Sequence, residues 1–163
     1  MTVMKSAVLA LALVASAAFA NLSQIPGEYT SSGTWKSASG QKGKWTSTVS
    51  VAKAERGFSV AEKLSVFAPN PAPGAEPIHV KDTAWRAVTT QNGFFDVMTG
   101  DEKTGWGFCN AVSCVIQGKG EEPDSTYGET LLVGATALYR TGFDKSAHDT
   151  ISWEGSAKKR KPN

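Results

Sequence analysis

Three observations predict an all-β fold, an antiparallel up-and-down barrel of about 8–10 short strands. Beyond Ala20 no segment carries a helical apolar period, and polar and apolar residues alternate instead. β-Branched and aromatic side chains fill the alternating runs, and Gly, Pro, Asn and Asp punctuate them. The connections read as sequential hairpins, which build a meander without crossovers. Closing that meander removes the edges an open sheet would expose.

Met1 to Ala20 stands apart as a signal-peptide pattern. Lys5 precedes a run of Ala, Leu and Val from Ala7 to Ala18, and Ala18-Phe19-Ala20 offers the small-x-small site that signal peptidase accepts. The run is short for a membrane span, and no Cys follows it to carry a lipid anchor. The mature chain is expected to begin at Asn21, in a bacterial periplasm or outside the cell. About 140 residues remain, enough for one domain with one core. That domain is expected over residues 21–157, with a basic tail at 158–163.

The strands follow in order. Tyr29, Ser31, Gly33 and Trp35 share one parity, and Trp45, Ser47, Val49 and Val51 share another, with a hairpin loop at Ser39–Gly43 between them. Phe58, Val60, Glu62, Leu64 and Val66 form the third strand, entered through Arg56-Gly57. Pro69, Pro71, Pro73 and Pro77 remove amide donors from Ala68–Pro77, which reads as an extended surface loop. Ile78–Thr90 resumes strand character, and Gln91-Asn92-Gly93 is the strongest turn signal, since Asn-Gly accepts the positive φ angles of a tight hairpin. Phe94–Met98 and Thr104–Cys109 flank a turn at Thr99–Lys103. Cys114–Gln117, Thr126–Val133, Ala135–Thr141 and Thr150–Ala157 complete the series, with an acidic loop at Gly118–Asp124.

Cys109 and Cys114 are the two cysteines. Their spacing suits the mouth of a hairpin, with the thiols facing each other across the strands. In an oxidising compartment that reads as a disulfide. A thioredoxin-type redox pair uses two intervening residues rather than four, and no His lies nearby to complete a metal site.

Charge argues against nucleic acid as a partner. With Lys5 and the basic run Lys158–Lys161 set aside, the body carries 12 basic and 15 acidic residues. No later segment suggests a transmembrane helix. Catalytic signatures are sparse: His79 and His148 stand alone, with no H-E-x-x-H and no nucleophile elbow. Gly105-Trp106-Gly107 and Gly118-Lys119-Gly120 lack the strand-loop-helix setting of a phosphate loop. Their glycines are expected to relieve crowding beside large rings or to bend strands. No metal or cofactor is called for.

Charged residues inside apolar parities are the candidate site. Glu62 shares a face with Phe58, Val60, Leu64 and Val66; Arg86 with Ala84 and Val88; Asp96 with Phe94 and Met98; Arg140 with Leu138. Inside a barrel such a group must be paired, hydrated or matched to a ligand. The alternative places the opposite parity inward, with Trp85 and Ala87, or Phe95 and Val97, in the core.

Gly33-Thr34-Trp35, a G-x-W on the opening strand, resembles the calycin group: lipocalins, fatty-acid-binding proteins and avidins. The series Gly27-x-Tyr29, Gly33-x-Trp35, Gly43-x-Trp45 is also similar to bacterial periplasmic proteins with a lipocalin-like barrel. The resemblance implies a first-strand Trp35 at the closed end, covered by a late-strand Arg, here Arg140. It also implies a carboxylate-holding role for interior Arg86, Arg140 and Tyr139, with Trp35, Trp85 and Glu62 completing a ligand site. The expected function is therefore non-enzymatic binding of a small, partly apolar ligand such as a fatty acid, a lipid fragment or haem. Two other readings stay open: an envelope protein-interaction module working through its proline loop, acidic loop and basic tail, and a hydrolase with a site assembled through space.

Overall fold

The computed structural model describes residues 25–110, 112–120, 124–133 and 137–160, so the signal segment and the start at Asn21 lie outside the described residues. Ten strands follow one another: β1 (Gly27–Ser37), β2 (Lys42–Ala54), β3 (Gly57–Phe67), β4 (His79–Thr89), β5 (Phe94–Thr99), β6 (Glu102–Cys109), β7 (Ser113–Lys119), β8 (Thr126–Val133), β9 (Ala137–Lys145) and β10 (Thr150–Lys159). Each pairs antiparallel with its sequence neighbours, and β10 returns to β1, closing the barrel. The expected all-β barrel is present, at ten strands. β10 continues through Lys158 and Lys159, so the basic run begins inside the sheet.

Local chemistry sets the turns. Asn92 (φ 49°) and Gly93 (φ 85°) both take positive φ, as an Asn-Gly hairpin requires. Asn110 Oδ1 accepts the backbone N–H groups of Val112 and Ser113, organising the β6–β7 turn. Directly before that turn Cys109 and Cys114 are register partners and are joined by a disulfide. So short a loop gives the bridge a stabilisation of about 2 kcal/mol. Thermal melts with and without reductant should differ accordingly; identical curves would show that the bridge contributes nothing.

The two ends of the barrel differ. At the end carrying the start of β1, the end of β10 and the β2–β3, β4–β5 and β6–β7 turns, inward residues form the apolar core. Tyr29, Val51, Phe58, Ala87, Phe95 and the disulfide fill this closed end. Phe58 meets Trp85 edge-on at 6.1 Å and Phe95 at 5.8 Å between ring centroids. Tyr29 reaches past the last layer to donate its hydroxyl to Ile25 O. The opposite end carries the β1–β2, β3–β4, β5–β6, β7–β8 and β9–β10 connections, among them the long proline-rich one. There the interior is not filled.

Register decides which parity faces inward. Val60 pairs with Trp85 and Phe58 with Ala87, and Ala87 in turn pairs with Val97. Paired residues share a face of the sheet. Trp85, Ala87, Phe95 and Val97 therefore point inward with Phe58 and Val60, and Arg86 and Asp96 point outward. For β4 and β5 the structure takes the second of the two parities weighed, with Trp85 and Ala87, and Phe95 and Val97, in the core.

Candidate functional site

Above the closed end an ionic cluster spans the barrel. The Arg140 side chain of β9 crosses to β3, where Nη1 donates to Glu62 Oε1 at 2.8 Å and Nη2 to Oε2 at 3.4 Å. Its Nε donates to Glu129 Oε1 of β8 at 2.6 Å. Nη1 also reaches Ser47 Oγ at 3.3 Å and Ser31 Oγ at 3.5 Å. The second Glu129 oxygen accepts the Tyr127 hydroxyl at 2.6 Å. All these groups are buried or nearly so, and among the described residues no buried side-chain polar atom lacks a partner.

Glycines make room for the crossing. Arg140, Gly155, Gly33 and Trp45 form one register row across β9, β10, β1 and β2. With no side chain at Gly155, the Trp45 ring comes close there; a Cβ would sit 2.5 Å from it. Arg140 then stacks over the Trp45 ring at 5.4 Å. The next row repeats the device, with Trp153 lying over Gly142 and stacking on Tyr127 at 5.7 Å. The aromatic ring and the glycine beside it are two parts of one wall.

Electrostatics follow from this packing. Burial works to raise the Glu62 pKa, but the Arg140 charge and its hydrogen bonds outweigh that and hold the carboxyl below its ordinary range. Burial also works against the Arg140 charge, and Glu129 and Glu62 overcome it, raising its pKa. Burial first, then the Glu129 charge and hydrogen bond, push the Tyr127 phenol well up, so it stays protonated as a donor. The cluster holds two carboxylates and one guanidinium.

Toward the open end lies a cavity of about 750 Å³. Glu62, Arg140 and Trp45 border it from below, and Trp35, Trp85 and Trp153 line its walls. Leu64, Val66 and Ile116 add apolar surface, and His79, Lys81, Asp82, Lys119 and Asp144 bring charge or polarity to the lining. Among the described residues no His, Cys, Asp and Glu group could hold a metal ion.

The predicted site residues divide cleanly. Glu62, Arg140, Trp35 and Trp85 border the cavity. Arg86 and Tyr139 do not: Arg86 donates to Gly100 O at 2.6 Å and pairs with Asp101 outside, and Tyr139 donates to Glu154 Oε2 on the outer face. Their placement inside the barrel is corrected, because Leu138 and Arg140 take the inward parity of β9 and Trp85 and Ala87 that of β4. Trp35 is corrected in position as well. It borders the cavity and donates Nε1 to Phe67 O, while Tyr29 occupies the closed end of β1 and Arg140 covers Trp45 instead. His79 and His148 are exposed. Glu129 was not singled out in sequence; its parity with Tyr127 and Leu131 carries the same signal that marks Glu62. Ser31 and Ser47 had no such signal, since serines abound on both faces.

Neither a family model nor a curated relative matches the chain. Solved structures do match it in shape. The S-type phycobiliprotein lyase CPES from Guillardia theta superposes with TM-score 0.56 at 9% identity, covering 88% of this chain and 93% of its own. Rv2717c from M. tuberculosis superposes with TM-score 0.55 at 11% identity, covering 88% of this chain and 98% of its own. The fold is a calycin-like barrel. At these identities the likeness lies in the fold alone, and the ionic cluster must be read from this chain's own residues.

Proposed function

We propose that this protein is an exported, non-enzymatic carrier or receptor that binds a small, partly apolar molecule inside the barrel. The observation that carries the reading is the asymmetry of the interior. One end is packed solid by Phe58, Phe95 and the disulfide, while the other keeps a cavity of about 750 Å³ among four tryptophans. Packed interiors rarely leave space of that size, and a concave, mainly apolar pocket with a few fixed polar groups is the usual form of a small-molecule site. The export signal at Met1–Ala20 supports an envelope or extracellular setting, in which a barrel can hold a ligand that water dissolves poorly.

A neutral apolar fluorophore such as N-phenyl-1-naphthylamine tests the site. Four of the five tryptophans border the cavity, so saturable binding should quench most tryptophan emission through energy transfer. Leu64→Trp, which fills the cavity from its lining, should weaken binding by about tenfold or more while the fold persists. Absence of saturable binding, or binding indifferent to Leu64→Trp, would overturn the reading. The export half is tested separately by the N-terminal residue of protein recovered from a bacterial periplasm, expected to be Asn21.

A further inference from the structure

We infer that the cavity is built for an organic cation, an amine with an apolar body, and disfavours carboxylates. This rests on the interior-binding reading above and specifies its ligand class. A carboxylate would need free cationic donors at the cavity floor. The cation there, Arg140, already spends its Nε on Glu129 and its Nη1 and Nη2 on Glu62, and its face lies over Trp45. The side chains that could have offered a second guanidinium or phenol, Arg86 and Tyr139, lie on the outer wall.

The ionic cluster beneath the cavity holds two carboxylates, Glu62 and Glu129, to one guanidinium. Glu62 is the carboxylate that borders the cavity, and its side chain keeps 17% exposure, against 5% for Glu129. A carboxylate has about four acceptor positions, so one holding a bidentate arginine still accepts a further donor. The remaining charged groups on the lining balance in number: Lys81 and Lys119 against Asp82 and Asp144. Lys119 is also paired with Glu102 at 2.8 Å. Lys81 acts on Glu62 more weakly than Arg140 does. Trp35, Trp85 and Trp153 line the walls, and an aromatic lining accepts a cation where a ring face is open to it.

Three probes of equal chain length separate the possibilities: decylamine, decanol and decanoate, each titrated below its micelle concentration at neutral pH. Tryptophan fluorescence and calorimetry follow binding. The amine is expected to bind about tenfold more tightly than the alcohol, and the carboxylate more weakly than either. Glu62→Gln should erase the advantage of the amine and leave the alcohol nearly unchanged. A carboxylate that binds as well as the amine, or a Glu62→Gln variant that keeps the preference, would overturn this inference while leaving interior binding intact. Failure of all three probes would overturn both. The wild-type ranking decides the matter alone if Glu62→Gln does not fold.

Discussion

Arg140→Met is expected to destabilise the protein by about 3–5 kcal/mol at neutral pH. The guanidinium meets Glu62, Glu129, Ser31 and Ser47 at once, and removing it leaves two largely buried carboxylates without their principal counter-charge. Methionine fills similar volume, so the loss reports on charge rather than on a void. Acid separates the two proteins. In the wild type the folded Glu62 pKa lies below its ordinary value of 4.5. That group therefore contributes stability above its unfolded pKa, and the contribution is lost as pH falls through the folded value. In Arg140→Met burial is opposed only by the Ser47 hydrogen bond and the Lys81 charge, so the folded pKa rises relative to wild type and protonation on acidification relieves the variant. Urea unfolding at pH 7 and pH 4 should show a wide gap that narrows in acid. A gap of equal size at both pH values would mean that the cluster is not held by charge.

Phe58→Ala is the second large effect, expected at about 3–5 kcal/mol from the lost burial and the void left behind. Phe58 is 8% exposed and its ring meets both Trp85 and Phe95, so three strands lose contacts together. The neighbours cannot collapse easily, because Cys109 and Cys114 are fixed to each other beside them. Unlike Arg140→Met, this loss should be nearly independent of pH, since no ionisable group changes partner. Phe58 also supports Trp85, which lines the cavity, so probe affinity should fall as well where the variant is folded. A loss below about 1.5 kcal/mol would show that the closed end is looser than its packing implies.

Much of the architecture was legible in the chain. Asn92-Gly93 marks its hairpin through the backbone freedom of those two residues, and both indeed take positive φ. The prolines exclude Ala68–Pro77 from the sheet through missing donors, and that segment lies between β3 and β4. Cys109 and Cys114 pair because a short hairpin brings them opposite. The candidate site was legible only in part. Glu62 and Arg140 betrayed themselves by sitting among apolar residues of their own strand. Arg86 and Asp96 carried the same local signal and lie outside, because the competing parities Trp85-Ala87 and Phe95-Val97 are the ones that register sets against Phe58 and Val60.

What the sequence by itself determined is what each segment can do alone: where the chain extends, where it turns, and which thiols meet across a turn. Strand alternation and turn conformation are properties of a few adjacent residues, so they survive without knowledge of the rest. Only the tertiary structure decided which face is interior and what stands within it. A strand offers two faces, and closure of β10 onto β1 with a fixed register chooses between them for the whole sheet. The meeting of Arg140 with Glu62 depends on that closure. They lie 78 residues apart in the chain, and two glycines in the row between Arg140 and Trp45 leave the space across which the side chain extends. No local pattern encodes a distance across a barrel.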